Sequence, residues 1–121
     1  MQHTESPESL VARARAKAFI EFEEVIQVID DHYETRLVGF SNGLGDEIMV
    51  NAPGANVGSL KILSFAKMHG LSRDETLSLF GKFYREDVLL HPDGKDHPNI
   101  RNFMKYGWAG VRFDELPLKA P

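Results

Sequence analysis

The chain has 121 residues, 42% of them hydrophobic and 26% charged, with a formal net charge of −4 and no cysteine. That is the size and composition of one ordinary globular domain, long enough to bury a core without covalent staples. Without thiols there is no disulfide framework, no cysteine nucleophile and no thiolate metal site. The mildly acidic balance argues against sequence-independent nucleic-acid binding, and no apolar run approaches the roughly 20 residues of a membrane span.

Met1–Leu10 is polar, has no secretory apolar segment, and is expected to be loose over residues 1–6. Ser6-Pro7-Glu8 reads as a helix start: a capping hydroxyl, a first-turn proline and an acid at the positive end of the dipole. Phe22, Val25, Ile26, Ile29 and Tyr33 share one face, opposite Arg13, Lys17, Glu21, Glu24 and Asp31, so the pattern predicts one long helix over 7–33. Two short extended runs follow, 37–40 and 48–50, around Asn42-Gly43, which is a hairpin signal with a long or bulged turn.

Asn51–Asn56 is a loop, and Ser59 is placed to cap a helix over 60–69. That helix is apolar nearly all round, with Lys61, Ser64 and Lys67 as its wet stripe, the profile of a buried central helix. Gly70 supplies a left-handed end, and Ser72-Arg73-Asp74-Glu75 is a capping box for a third helix carrying Leu77, Phe80, Tyr84 and Val88, with Gly81 permitting a close approach. His91-Pro92-Asp93-Gly94 is a turn. Asp96-His97-Pro98 opens a fourth helix, with Ile100, Phe103 and Met104 inward and Gly107 as its stop. Trp108, Val111 and Phe113 fold back on the core, and 115–121 is expected to be loose. The fold class expected is α+β and mainly helical, a single domain of about four helices with a short hairpin between the first and second.

Three blocks of residues carry a resemblance. They are Phe40–Gly43 with Asn51, Gly54, Asn56, Gly58-Ser59 and Lys61-Ile62; then Leu71, Thr76-Leu77, Phe80-Gly81, Tyr84-Arg85, Asp87–Leu89 and His91–Gly94; then Asp96–Met104 and Gly107-Trp108. Together they resemble the HopJ type III effector family over about four-fifths of the chain. The resemblance implies a bacterial protein, cytoplasmic or translocated into a host cell. It brings no defined biochemical activity. This chain has Leu60 where the family often has cysteine, and Glu5 and Glu8 near its start, where delivered effectors tend to be serine-rich and poor in acids.

Candidate sites compete with structural readings. His91, Asp93, Asp96 and His97 crowd imidazoles and carboxylates into one loop, donors suited to a divalent metal; the same residues make a turn and a helix cap, which the sequence favours. Asn51, Asn56, Gly58, Ser59 and Lys61 form a glycine-bearing loop feeding a helix, able to cradle an anion; the competing and favoured reading is asparagines tying down backbone. Tyr84, Arg85, Asn99, Arg101, Asn102 and Trp108 form a third group, in which Arg101 could meet an external carboxylate or phosphate; the favoured reading is that it pairs with Asp87 or Glu86. Trp108 reads first as core. His32 suits a helix C-terminus better than a proton shuttle.

The functional expectation is a binding protein with an unidentified protein or small-molecule partner and no nucleic acid or membrane. The alternative is a small metal-dependent enzyme or an anion- or metabolite-binding protein using the 91–97 loop and Arg101. No cofactor is required by the sequence, and a divalent metal is the one it allows. The expected site is a concave surface joining 51–59 to 91–101.

Overall fold

The computed structural model describes residues 5–119. The expected loose segment 1–6 falls largely outside them; within them, Ser6 accepts from the Ser9 amide at 3.1 Å and caps helix α1, Pro7–Arg15. The long first helix of the sequence reading is two. Lys17 adopts a left-handed conformation (φ 59°), and α2, Phe22–His32, begins after it. Between them Ile20 is wholly buried. The carbonyls freed by the break are taken by two arginines: Arg13 Nη2 donates to Phe19 O at 3.1 Å and Arg85 Nη1 to Ile20 O at 2.7 Å. No glycine or proline marks this break, so periodicity alone runs through it.

The chain then extends as β1, Glu34–Thr35, and enters the hairpin of β2, Phe40–Asn42, and β3, Met49–Asn51, joined through a 3-10 turn over Gly45–Glu47. The hairpin therefore lies between the second and third helices. Strand β4, Arg112–Phe113, pairs antiparallel on the free side of β2, giving the order β3-β2-β4. Strand β5, Leu118–Lys119, pairs with β1, and Leu118 is buried. The C-terminal stretch expected to be loose thus carries an ordered strand, held because its leucine reaches the core; residues 120 and 121 lie outside the described residues.

Helix α3, Val57–Met68, is the buried central helix: Leu60, Ile62, Leu63, Phe65 and Ala66 have no exposed surface. It starts earlier than Ser59 allows. Asn56 holds the cap position in a left-handed conformation (φ 52°, ψ 49°), and Ser59 lies inside the first turn. Ser64, expected in the wet stripe, is buried and returns its hydroxyl to Leu60 O at 2.6 Å. Gly70 is left-handed (φ 68°), and the Ser72–Glu75 capping box opens α4, Arg73–Ser78. The predicted third helix breaks at Gly81 (φ 62°) and resumes as a wide helical turn over Phe83–Val88. A β-carbon at Gly81 would lie 2.6 Å from the Phe22 amide nitrogen, so this glycine lets the start of α2 press against the chain. Helix α5, Pro98–Tyr106, buries Ile100 and Phe103 and ends at Gly107.

Candidate functional site

The two polar segments do meet. One cleft of about 210 Å³ is lined by Asn56, Gly58 and Ser59 from the start of α3 and by His97, Pro98, Asn99 and Ile100 from the start of α5. Phe22, Phe80 and Phe83 complete the lining as apolar wall. Gly58 fits this place because a β-carbon there would sit 2.9 Å from the Phe22 ring.

Beneath the cleft lies a buried amide network. Asn99 Nδ2 donates to Asn51 Oδ1 at 2.9 Å, and Asn51 Nδ2 donates back to Asn99 Oδ1 at 3.3 Å. Asn42 Nδ2 donates to Asn99 O at 2.8 Å and Asn56 Nδ2 to Asn51 Oδ1 at 2.7 Å. Asn42, Asn51 and Asn99 are all buried. The chain thus fastens the hairpin to α5 and the 51–56 loop with neutral amides, which can donate and accept at once and need no counter-charge. The structural reading of Asn51 and Asn56 holds for these bonds, while Asn56 and Asn99 also line the cleft. Asn102 Nδ2 donates to Asn42 O at 3.0 Å and Glu47 O at 2.8 Å, tying the hairpin turn rather than a ligand.

His97 stands at the lip. It holds the cap position of α5 with φ 49°, but its ring leaves the helix end unbonded and reaches sideways: Nε2 lies 2.9 Å from Asp87 Oδ2 and 3.8 Å from Asp96 Oδ2. The Phe83 ring lies 5.2 Å away, centroid to centroid. Among the described residues Asp87, Asp96 and His97 are the grouping whose donor atoms converge, all within 4.8 Å of one another. His91 and Asp93, proposed from sequence as partners to Asp96 and His97, are exposed and outside that grouping; the turn points them into solvent. Asp87 was not singled out by spacing as a ligand. It lies ten residues before His97, on the wide turn, and only the fold brings the two together.

Arg101 is not directed at the cleft. Its Nε donates to Asp96 O at 2.6 Å, Nη1 to His91 O at 2.9 Å and Nη2 to Asp96 Oδ1 at 2.5 Å, so it staples the 91–96 loop to α5. That hydrogen bond and charge hold the Asp96 carboxyl below its usual range. Arg101 reaches Asp87 only through its main-chain oxygen, at 3.4 Å. Lys61 pairs with Asp30 at 2.7 Å and also stays outside the cleft. Trp108 Nε1 donates to Leu71 O at 2.9 Å and its ring meets Phe103 edge-on, a packing role. Arg85 lies over Phe19 at 3.9 Å, Tyr84 packs on the core, and His32 bonds Glu5 O at 3.2 Å.

A family model described as HopJ type III effector protein matches residues 8–118. The chain belongs to this family. Among solved structures it is similar to "Crystal structure of unknown function protein VPA0580", with 42% identity, a TM-score of 0.82, and coverage of 94% of this chain and 89% of that one. No curated protein matches. The part of this chain that matches the family takes the α+β arrangement described above, and among the described residues no helix is long and apolar enough to cross a membrane. The family name refers to a delivery route and assigns no chemistry to the cleft.

Proposed function

We propose that this HopJ-family chain acts as a binding protein, and that it takes a small anionic ligand in the cleft between the starts of α3 and α5. The observation that carries the reading is the convergence of Asn56, Gly58, Ser59, His97 and Asn99 on one concavity with an aromatic wall. The first turns of two helices present amide N–H groups that need partners, and an imidazole at the lip can donate or accept. A volume near 210 Å³ falls below the range typical of drug-sized ligands, which favours phosphate or a short carboxylate.

The test is a thermal-shift and NMR titration of the full chain with phosphate, sulfate and small mono- and dicarboxylates at constant ionic strength. Saturable stabilisation, with amide shifts centred on Asn56–Ser59 and His97–Asn99, is the expected result. Shifts scattered over the surface, or none at millimolar ligand, would rule the cleft out as an anion site.

Delivery into a host cell is a second reading, favoured by the family match over residues 8–118. A translocation reporter fused to Met1–Gly39 reads it directly: signal that depends on a working type III apparatus supports it, and signal equal to a secretion-deficient strain rejects it.

A further inference from the structure

We infer that Asp87, Asp96 and His97 form a site for one divalent ion of borderline character, such as zinc, at the lip of the cleft. The inference goes beyond the anion reading and does not depend on it.

The geometry supports such an ion. Ligand bonds of about 2.0–2.2 Å in a tetrahedral shell separate donor atoms by about 3.3–3.6 Å. His97 Nε2 stands 2.9 Å from Asp87 Oδ2 and 3.8 Å from Asp96 Oδ2, so these two distances straddle that spacing, and the two carboxylates, whose donor oxygens lie within 4.8 Å of each other, close the third edge by side-chain rotation when the ion binds. One nitrogen and two carboxylate oxygens suit zinc or manganese better than magnesium, which prefers an all-oxygen octahedron and keeps its waters.

The surroundings hold the donors in place. Arg101 grips Asp96 through Oδ1 and the main-chain oxygen, which leaves Oδ2 for the ion. The Phe83 ring restricts His97 from one side. Two carboxylates against one guanidinium leave the pocket net negative. All three side chains are partly exposed, so a fourth position is open to water. On binding, the Nε2 lone pair replaces the hydrogen bond to Asp87, and any proton on Nε2 is released to solvent.

The experiment is calorimetry with zinc chloride on chelator-stripped full-length protein in phosphate-free buffer. One equivalent is expected to bind, at least tenfold more tightly than magnesium. Asp87→Asn and His97→Gln should each weaken binding at least tenfold with circular dichroism unchanged, while His91→Ala should leave it intact. If a variant fails to fold, paramagnetic broadening by manganese in the wild-type protein gives the answer instead, with the amides around Asp87, Asp96 and His97 expected to broaden first. No binding at millimolar zinc, loss of binding in His91→Ala, or broadening centred elsewhere would overturn the assignment. Because phosphate is absent throughout, failure here leaves the anion reading standing, and failure of that reading leaves this one.

Discussion

Asn99 and Asn51 exchange side-chain amides across the interior, Asn99 Nδ2 to Asn51 Oδ1 at 2.9 Å and Asn51 Nδ2 to Asn99 Oδ1 at 3.3 Å. The pair joins α5 to β3, and the same Asn99 also receives Asn42. Truncating Asn99 removes three buried side-chain hydrogen bonds at once, two with Asn51 and one with Asn42, although Asn51 Oδ1 keeps its bond from Asn56. Asn99→Ala is therefore expected to destabilise by about 2–4 kcal/mol in urea unfolding. Asn102→Ala, which removes bonds nearer the surface, should cost about 1 kcal/mol. Equal losses in the two variants would show that the buried network is not specially demanding.

Gly81 and Gly54 separate two costs that a sequence cannot distinguish. Both have positive φ, 62° and 88°. A β-carbon at Gly81 would stand 2.6 Å from the Phe22 nitrogen, whereas Gly54 has nothing within 4 Å. Gly54→Ala should lose only the conformational term, about 1 kcal/mol. Gly81→Ala adds a clash with backbone that cannot rotate away, and a loss of more than about 2 kcal/mol is expected from chemical denaturation. A Gly81→Ala protein as stable as Gly54→Ala would contradict the close approach of α2.

These cases show where the sequence is informative. The Ser72–Glu75 box, the Gly70 and Gly107 stops, the apolar α3 and the hairpin around Asn42-Gly43 are local signals, and the structure has each of them. What was illegible is non-local. The break at Lys17 depends on arginines from α1 and from the wide turn to take up the freed carbonyls. Strands β4 and β5 are two residues each and exist only through their partners. The meeting of 51–59 with His97 and Asn99 was expected from residue type, but Asp87 could not be, since no spacing rule links it to His97. For Arg101 the internal pairing favoured by the sequence is the one the structure has, but with Asp96 and the 91–96 loop in place of the Asp87 or Glu86 side chains, a choice of partner that only the fold decides.

His69 predicts a pH dependence. Its Nε2 lies 2.9 Å from the Tyr33 hydroxyl, and burial lowers its pKa from 6.5, with Arg15 pushing the same way and Glu8 opposing. The unfolded chain then binds the proton more readily than the folded one. Stability is full above pH 6.5 and falls as pH drops from there towards the lowered folded value. Histidine Cε1–H NMR titration should find this imidazole titrating below 6.5, and the melting temperature should decline across that window more in wild type than in His69→Gln. An imidazole titrating above 6.5 would reverse the sign.

Glu47 works in a different window. Hydrogen bonds from Lys105 and Tyr106 hold its carboxyl below the ordinary 4.5. A carboxyl lowered on folding contributes above its unfolded value, and that contribution is lost as pH falls through the folded one. The group is fully exposed, so salt should screen the effect. The difference in melting temperature between wild type and Glu47→Gln should shrink below about pH 4 and also shrink in molar salt. A difference that persists at pH 3 would assign Glu47 a role through packing rather than charge.

Arg101 offers the sharpest test of how the 91–96 loop is held. Three nitrogens of one planar group serve His91 O, Asp96 O and Asp96 Oδ1, from 2.5 to 2.9 Å. Lysine keeps the charge but cannot reproduce this fork, so Arg101→Lys should lose most of the bonds while retaining attraction to Asp96. The expected loss of global stability is modest, about 1–2 kcal/mol, because the loop is exposed. The local effect should be larger: amide exchange over 91–96 is expected to accelerate well beyond the change in α3, which belongs to the buried core. Faster exchange confined to this loop would establish Arg101 as the clamp that positions Asp96 beside His97. Uniform acceleration across the protein, or none in the loop, would leave another contact to explain how the lip of the cleft keeps its shape.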